Sequence, residues 1–208
     1  MLNQYNSIAK YYAVLSKLIF GKSLLKIQQQ AINHFPFKGK LLILGGGNGE
    51  ILKFISNQRP NLEIEYLEAS DKMISLAQKQ IGSNQSIKFL HGFSLEACSF
   101  NIDCVFAPFF FDLFSENEIS TFIKQLEVAI SVNFTLVIVD FKLSKETQFK
   151  LIRTIQIKLS ILFFKLCANH NLKYLPKITA TLNKLGYQAT ESVDSRGFLF
   201  LQVFNKHL

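Results

Sequence analysis

The chain has 208 residues, 49% of them hydrophobic, with 21 Phe and no Trp; this apolar content argues against a disordered chain, and the length suits one domain around a single core. The three cysteines (Cys98, Cys104, Cys167) are widely spaced with no C-x-x-C pair, which argues against a disulfide framework or a zinc site. The net charge of +8 is uneven: residues 142–184 hold nine Lys or Arg against one acid, Glu146, while the other 165 residues hold 14 of each sign. A single basic segment points to an anionic partner at one place rather than to a uniformly cationic surface.

Residues 4–32 read as helical. Ile8, Tyr11, Tyr12, Leu15, Leu18 and Ile19 form an apolar stripe. Gly21-Lys22-Ser23 divides it into two helices, with Ser23 as the expected cap of the second. The start of the chain has no basic stretch followed by an apolar run, so no signal peptide is predicted and a cytoplasmic, reducing location is expected. A loop over 34–40 leads into an alternation: strand 41–44, helix 49–57, strand 63–67, helix 71–80, strands 87–90 and 102–106, helix 115–130, strand 134–140. Alternation of this kind predicts a parallel sheet wound on both faces, and apolar runs such as Thr135-Leu136-Val137-Ile138-Val139 fit strands buried on both sides. A helix over 144–168 follows, then one from Pro176 to near Gly186, then strands over 188–192 and 198–204. No run reaches the ~18 apolar residues of a membrane span; residues 151–167 come nearest, broken by Arg153, Lys158 and Lys165. There is no repeat and no interdomain linker.

The chemistry-bearing stretch is Leu41-Leu42-Ile43-Leu44-Gly45-Gly46-Gly47-Asn48-Gly49-Glu50. A buried strand that turns on glycine into a helix collects free backbone N–H groups at one point and admits a ligand close to the main chain. Nineteen residues after Gly49 a second apolar segment ends in Glu68, an acid able to accept from two ribose hydroxyls. Together these suggest a pocket for a nucleoside-containing cofactor. A dinucleotide G-x-G-x-x-G would place its third glycine at 50, which is Glu50; the third glycine is Gly49 instead.

The G-x-G-x-G spacing after a strand and before a helix resembles the first motif of the class I S-adenosylmethionine (SAM) methyltransferases. Three later segments agree in order: Tyr66-Leu67-Glu68-Ala69-Ser70-Asp71-Lys72-Met73-Ile74 with the second motif, Phe89-Leu90-His91-Gly92-Phe93 with the third strand and adenine loop, and Ile102-Asp103-Cys104-Val105-Phe106-Ala107-Pro108-Phe109-Phe110 with the fourth strand and its substrate-facing loop. The resemblance runs from about residue 5 to the end. It implies an α/β Rossmann-like, doubly wound, mostly parallel seven-stranded sheet with an antiparallel final strand and an N-terminal helical lid. The parts would be a lid over 1–38, a SAM-binding core over 39–141, an acceptor-side helical insertion over 142–186 and the final strands over 187–208.

The resemblance also implies roles. Gly45, Gly46, Gly47, Asn48 and Gly49 would bring backbone to the amino-acid part and ribose of SAM, with S-adenosylhomocysteine (SAH) as product. Glu68 would bind the ribose hydroxyls, Ala69, Ser70 and Met73 would lie along the adenine, and Gly92 and Phe93 would form its edge through a backbone N–H and a ring. Ala107 and Pro108 would line the path between methyl and acceptor. Two departures stand out: Ile43 occupies a position where many members carry an acid, and Phe93 one where many carry Asp. No metal ligand set is implied. Methyl transfer forces no residue to be catalytic; His91, Asp112, Asp140, His170 and Tyr12 are candidates, with Asp112 and Tyr12 preferred.

Ser7-Ile8-Ala9-Lys10-Tyr11-Tyr12 and Phe20-Gly21 resemble the lid of ubiquinone/menaquinone-type small-molecule methyltransferases, in which Tyr12 would close over SAM. The helix over 144–168 is apolar nearly all round, and reads either as a core helix with snorkelling lysines or as a lid over a greasy acceptor. In the second reading its lysines attract an anionic head group, a carrier protein or a membrane surface, or the helix pairs with a second copy. The implied function is methyl transfer to a small apolar acceptor, aromatic, quinone-like or lipid-like. The alternatives are a non-catalytic binding or dimerisation subunit on the same fold, and an RNA methyltransferase; base-reading motifs for nucleic acid are not seen.

Overall fold

The computed structural model describes residues 22–35, 37–82, 86–130, 133–142, 175–195 and 198–206. The predicted lid helix with Tyr12, the predicted helix over 144–168, His170 and Cys167 lie outside the described residues.

The chain runs α1 (Ser23–His34), β1 (Lys40–Leu44), α2 (Glu50–Gln58), β2 (Glu63–Glu68), α3 (Asp71–Ile81), β3 (Ile87–His91), β4 (Cys104–Pro108), a 3₁₀ turn (Phe111–Leu113), α4 (Glu116–Ile130), β5 (Thr135–Phe141), α5 (Ile178–Lys184), β6 (Tyr187–Ser195) and β7 (Leu199–Lys206). The seven strands form one sheet in the order β3-β2-β1-β4-β5-β7-β6. All pairings from β3 to β5 are parallel, and β7 runs antiparallel between β5 and β6. The predicted doubly wound sheet with an antiparallel last strand is therefore the observed one.

Two apolar layers sandwich the sheet, and the period of two along each strand sorts them. Leu41 and Ile43 of β1, Tyr66 of β2 and Phe106 of β4 pack with Ile27 and Ile32 of α1 and Ile51, Leu52 and Ile55 of α2. Leu42 and Leu44, Leu67, Val105 and Ala107 pack on the other side under α4 and α5. Each fully buried Leu, Ile or Phe contributes roughly 1.5–3 kcal/mol, which is why the central strands need no polar side.

Several boundaries differ from expectation by one to three residues, β6 running to Ser195, and two of the differences have a clear physical reason. Helix α1 begins at Ser23 rather than being capped by it: Lys22 is the N-cap, with no side-chain cap, and Ser23 is buried in the first turn. Strand β4 lies at 104–108 rather than 102–106. Asp103 accepts the Lys40 N–H with Oδ2 at 2.7 Å, which ties the chain just before the strand to the start of β1. At the far end β4 outruns β1, whose register with it stops at Ile43↔Phe106, while pairing with β5 continues to Pro108↔Val139. The Phe109 N–H donates to Val139 O at 2.7 Å, so by alternation the nitrogen of Pro108 faces the side where no partner strand is left. A proline there forfeits no ladder bond. The correction moves Ala107 and Pro108 from a loop into the buried strand.

Arg59 secures α1 to the sheet's other end. Its guanidinium donates to the carbonyls of Phe37, Ile32 and Phe35 at 2.9, 3.2 and 3.2 Å, tying the last turn of α1 to the chain that follows it.

Candidate functional site

The strand order reverses between β1 and β4, and in an open α/β sheet the crevice beyond the carboxyl ends at that point is where ligands bind. The loops after β1, β2, β3 and β4 leave the sheet at that edge, which brings residues 45–49, 68–73, 92–93 and 109–112 to it.

The glycine turn is held from several sides. The Gly45 N–H donates to Leu67 O at 2.8 Å. The Gly47 N–H donates to Glu68 Oε2 at 3.0 Å, and Tyr66 Oη donates to Gly47 O at 2.8 Å. Gln80 of α3 donates to Asn48 O at 2.8 Å, and Asn48 Oδ1 accepts from the Glu50 N–H at 3.3 Å. The glycines are not equivalent. A Cβ at Gly46 would sit 2.3–2.6 Å from the Tyr66 ring and hydroxyl, and one at Gly49 2.5 Å from Ala77 Cα; one at Gly45 would meet the edge of Phe110 at 3.0 Å. At Gly47 nothing lies within 4 Å, so that is the open face of the turn. Gly49 also has φ +86° as the N-cap of α2. Its bareness serves the packing of α2 on α3 as well as any ligand.

Glu68 is 8% exposed, with Oε1 accepting from the Ser70 N–H and Oε2 from the Gly47 N–H, both at 3.0 Å. Burial raises its carboxyl above the ordinary value, against the pull of those N–H groups and of His91. A carboxylate offers about four lone-pair directions, and with the Ala69 N–H as a third backbone partner about one is left for a further donor. Ser70 caps α3 by accepting from the Met73 N–H at 3.3 Å, and Ala69, Ser70 and Met73 are all buried beneath the edge. His91 Nε2 lies 3.1 Å from Ala69 O and 3.3 Å from Asp71 Oδ1, which gives it the part of a brace for that turn. Gly92 has φ +109°, and its N–H donates to Glu68 O at 3.0 Å. The N–H expected to meet adenine is thus already engaged at Gly92; the Phe93 ring, 42% exposed, stands at the rim.

On the β4 side, Phe109 takes φ +52° and lies with its ring 5.0 Å from Phe141. Phe110 packs on Phe111, Phe114 and Phe122 with centroids 5.0–5.2 Å apart, giving an aromatic wall that reaches across to Gly45. Ala107, expected to line the path to the acceptor, is fully buried in the layer under α4; that expectation is corrected.

Beneath the aromatic turn lies a carboxyl pair. Asp140 is fully buried, with Oδ2 accepting from the Asp112 N–H at 3.1 Å and Oδ1 from the Phe141 N–H at 2.8 Å. Asp112 Oδ1 is sealed from solvent with no hydrogen-bond partner. Burial pushes Asp112 up to about 7, and burial and then the neighbouring Asp112 push Asp140 well above the carboxylate range. Asp112 thus belongs to a 3₁₀ turn, not to the first turn of α4, which Ser115 and Glu118 cap reciprocally.

Sequence reasoning misses Tyr66 altogether and sees Asp140 only as a single candidate, not as the partner of Asp112. Their contacts are 19 and 28 residues away in sequence, and no local pattern announces them. Cys104 is a core thiol; Cys98 is half-buried, its thiol pushed up to about 11 by burial and by Glu65. Among the described residues no group of three or more His, Cys, Asp or Glu could hold a metal ion, and no helix is long and apolar enough to cross a membrane. A groove lined by Phe37, Arg59, Asn61, Asn101 and Asp103 opens at the opposite edge of the sheet. Its arginine is spent on the α1 carbonyls, and it lies away from the convergent loops.

No protein-family model matches the chain, and no curated protein matches it with significance. Solved structures do. The mitomycin 7-O-methyltransferase MmcR superposes with a TM-score of 0.69 at 16% identity, over 90% of this chain and 55% of its own. A SAM-dependent methyltransferase from Aquifex aeolicus gives 0.63 at 15% identity, over 92% and 96%. DhpI, solved with SAH, gives 0.66 at 15% identity, over 99% and 97%. The chain thus spans about half the length of the first of these and nearly all of the other two, and it has the fold of the class I SAM-dependent methyltransferases.

Proposed function

We propose that this chain is a SAM-dependent methyltransferase acting on a small apolar acceptor, aromatic, quinone-like or lipid-like. The observation that carries the reading is Glu68. It stands at the end of β2 on the crevice edge, held by the backbone N–H groups of Gly47, Ser70 and Ala69, with about one lone-pair direction left for a ribose hydroxyl. The open face at Gly47 lies beside it, where a cofactor can approach the main chain. Structural likeness to a mitomycin O-methyltransferase and to an SAH-bound enzyme supports the same cofactor and a small-molecule acceptor.

Bound SAM supplies a methyl group on a sulfonium, a leaving group that needs no protonation. The chain's residues orient and exclude water, which can contribute roughly 7–11 kcal/mol toward the barrier. Gly45 and Gly47 present backbone to the amino-acid portion, Glu68 fixes the ribose, and Ala69, Met73 and Phe93 border the adenine. The partly buried ring of Phe109 offers the acceptor aromatic surface, with the buried Phe110 packed behind it, which favours a planar or lipid-like molecule. A general base must come within hydrogen-bond reach of the acceptor's proton. Oδ1 of Asp112 is sealed from solvent, which keeps it from an acceptor's proton, and it is the backbone N–H of Asp112 that ties the aromatic turn to Asp140. Tyr12 as a lid residue, and the basic segment 142–186 as the acceptor side, remain parts of this proposal.

Calorimetry with SAM and SAH tests it. Micromolar binding of SAH supports the reading, and no binding at high micromolar concentration refutes it. Binding without turnover on any aromatic or quinone-like acceptor favours the non-catalytic alternative, to which the departures at Ile43 and Phe93 lend weight.

A further inference from the structure

We propose that Tyr66 is a positioning residue for the glycine turn, supplying from β2 the polar anchor that β1 lacks. The inference rests on the SAM-site reading and adds a residue to it. Ile43 has no polar group to offer the turn that follows it. Its lateral partner in the sheet is Tyr66, by the register Ile43↔Tyr66. Tyr66 and Glu68 are two apart on one strand, so both side chains rise from the same face. Between them they bind both main-chain polar groups of Gly47: the carbonyl accepts from Tyr66 Oη at 2.8 Å, and the N–H donates to Glu68 Oε2 at 3.0 Å.

Three further facts fit a built device. Tyr66 is fully buried, so its hydroxyl has no water to fall back on and must find a partner in the protein. Gly46 leaves vacant the volume that the ring fills, since a Cβ there would lie 2.3 Å from Cε2. The ring itself is wedged edge-on against Phe89 of β3 at 5.3 Å, which fixes its direction. The turn is therefore clamped from beneath, with the open face of Gly47 turned outward. A ligand that meets the main chain there finds a preorganised surface and need not order it on binding.

Tyr66→Phe is the test, because it removes one oxygen and leaves the ring in its place. Two readouts are needed. In the ligand-free protein, hydrogen exchange at the amides of Gly47 and Gly49 should accelerate about tenfold, with β1 and β2 unchanged, since about one hydrogen bond's worth of local protection is lost. By calorimetry, SAH should bind about five- to tenfold more weakly, while adenosine, which lacks the amino-acid portion, should bind as before. Unaltered exchange at 47–49 overturns the inference whether or not the protein binds SAH. An equal loss for SAH and adenosine, with a lowered melting temperature, overturns it too, since Tyr66 would then be a general core residue. If the wild type itself does not bind SAH, the methyltransferase reading fails, and the exchange experiment still decides the role of Tyr66.

Discussion

Raising the pH should weaken this fold through the carboxyl pair under the aromatic turn. Asp112 keeps its proton up to about 7 in the folded chain, against an ordinary value of 3.8. The folded state then binds a proton that the unfolded state has released, so stability is full below about 4 and is lost as pH rises through about 7. One pKa unit is worth about 1.36 kcal/mol, so an upward shift of this kind puts the loss on the order of a few kcal/mol, most of it between pH 5 and pH 8. Asp140 is shifted the same way by burial first and Asp112 second, and adds to the slope. The perturbation that isolates the effect is Asp112→Asn, which keeps the shape and cannot ionise. Urea unfolding followed by circular dichroism at pH 5, 6, 7 and 8 should show a falling stability in the parent and a flatter profile in the variant. Glu68, the histidines and the burial of Asp140 are common to both proteins, so the difference between the two slopes belongs to Asp112 and its effect on Asp140. A parent whose stability is level from pH 5 to 8, or a variant with the parent's slope, refutes the reasoning.

Three other outcomes are expected. Gly49→Ala must place a Cβ 2.5 Å from Ala77 Cα at a φ of +86°; backbone strain of about 1–2 kcal/mol and overpacking of about 1–3 kcal/mol should lower the melting temperature clearly, and Ala77→Gly should not restore it because the clash is with main chain. Glu68→Ala should weaken SAH binding by roughly 1.5–3 kcal/mol in a calorimetric titration, as loss of hydrogen bonds to a charged acceptor implies; an unchanged affinity removes the ribose assignment. Glu127→Ala strips the buried Tyr187 hydroxyl of its acceptor at 2.8 Å and Lys206 of its partner at 2.7 Å, so chemical denaturation should register a loss of about 1–3 kcal/mol; a variant as stable as the parent contradicts that network.

The elements legible in sequence were those whose signal is local. Strand β1 and its glycine turn announce themselves by an apolar run and by positions where side chains are absent, and the strands of the central sheet by being apolar on both faces. The start of α1 departs from the sequence pattern because Ser23, a common capping residue, is buried in the first turn instead. The two-residue offset of β4 arises from a contact between Asp103 and Lys40, 63 residues apart, and from β5 extending beyond β1 as a partner. Within the site, Glu68 could be found from spacing alone, whereas the support it shares with Tyr66 depends on which residue lies beside Ile43 once the sheet has formed. Asp112 could be picked out as an acid near the acceptor edge; its neighbour Asp140, and hence its altered proton affinity, became visible only when β4 and β5 were side by side.

The wedge of Tyr66 beneath Gly46 sets an order on how these two positions can change over generations. Any side chain gained at 46 while the ring is in place meets atoms at 2.3–2.6 Å, so that step is closed. Loss of the ring at 66 leaves a void and a turn without its lower anchor, a costly but open step, after which position 46 is free to vary. A larger residue at 46 therefore requires the ring at 66 to yield first, and the two positions are coupled in this fold.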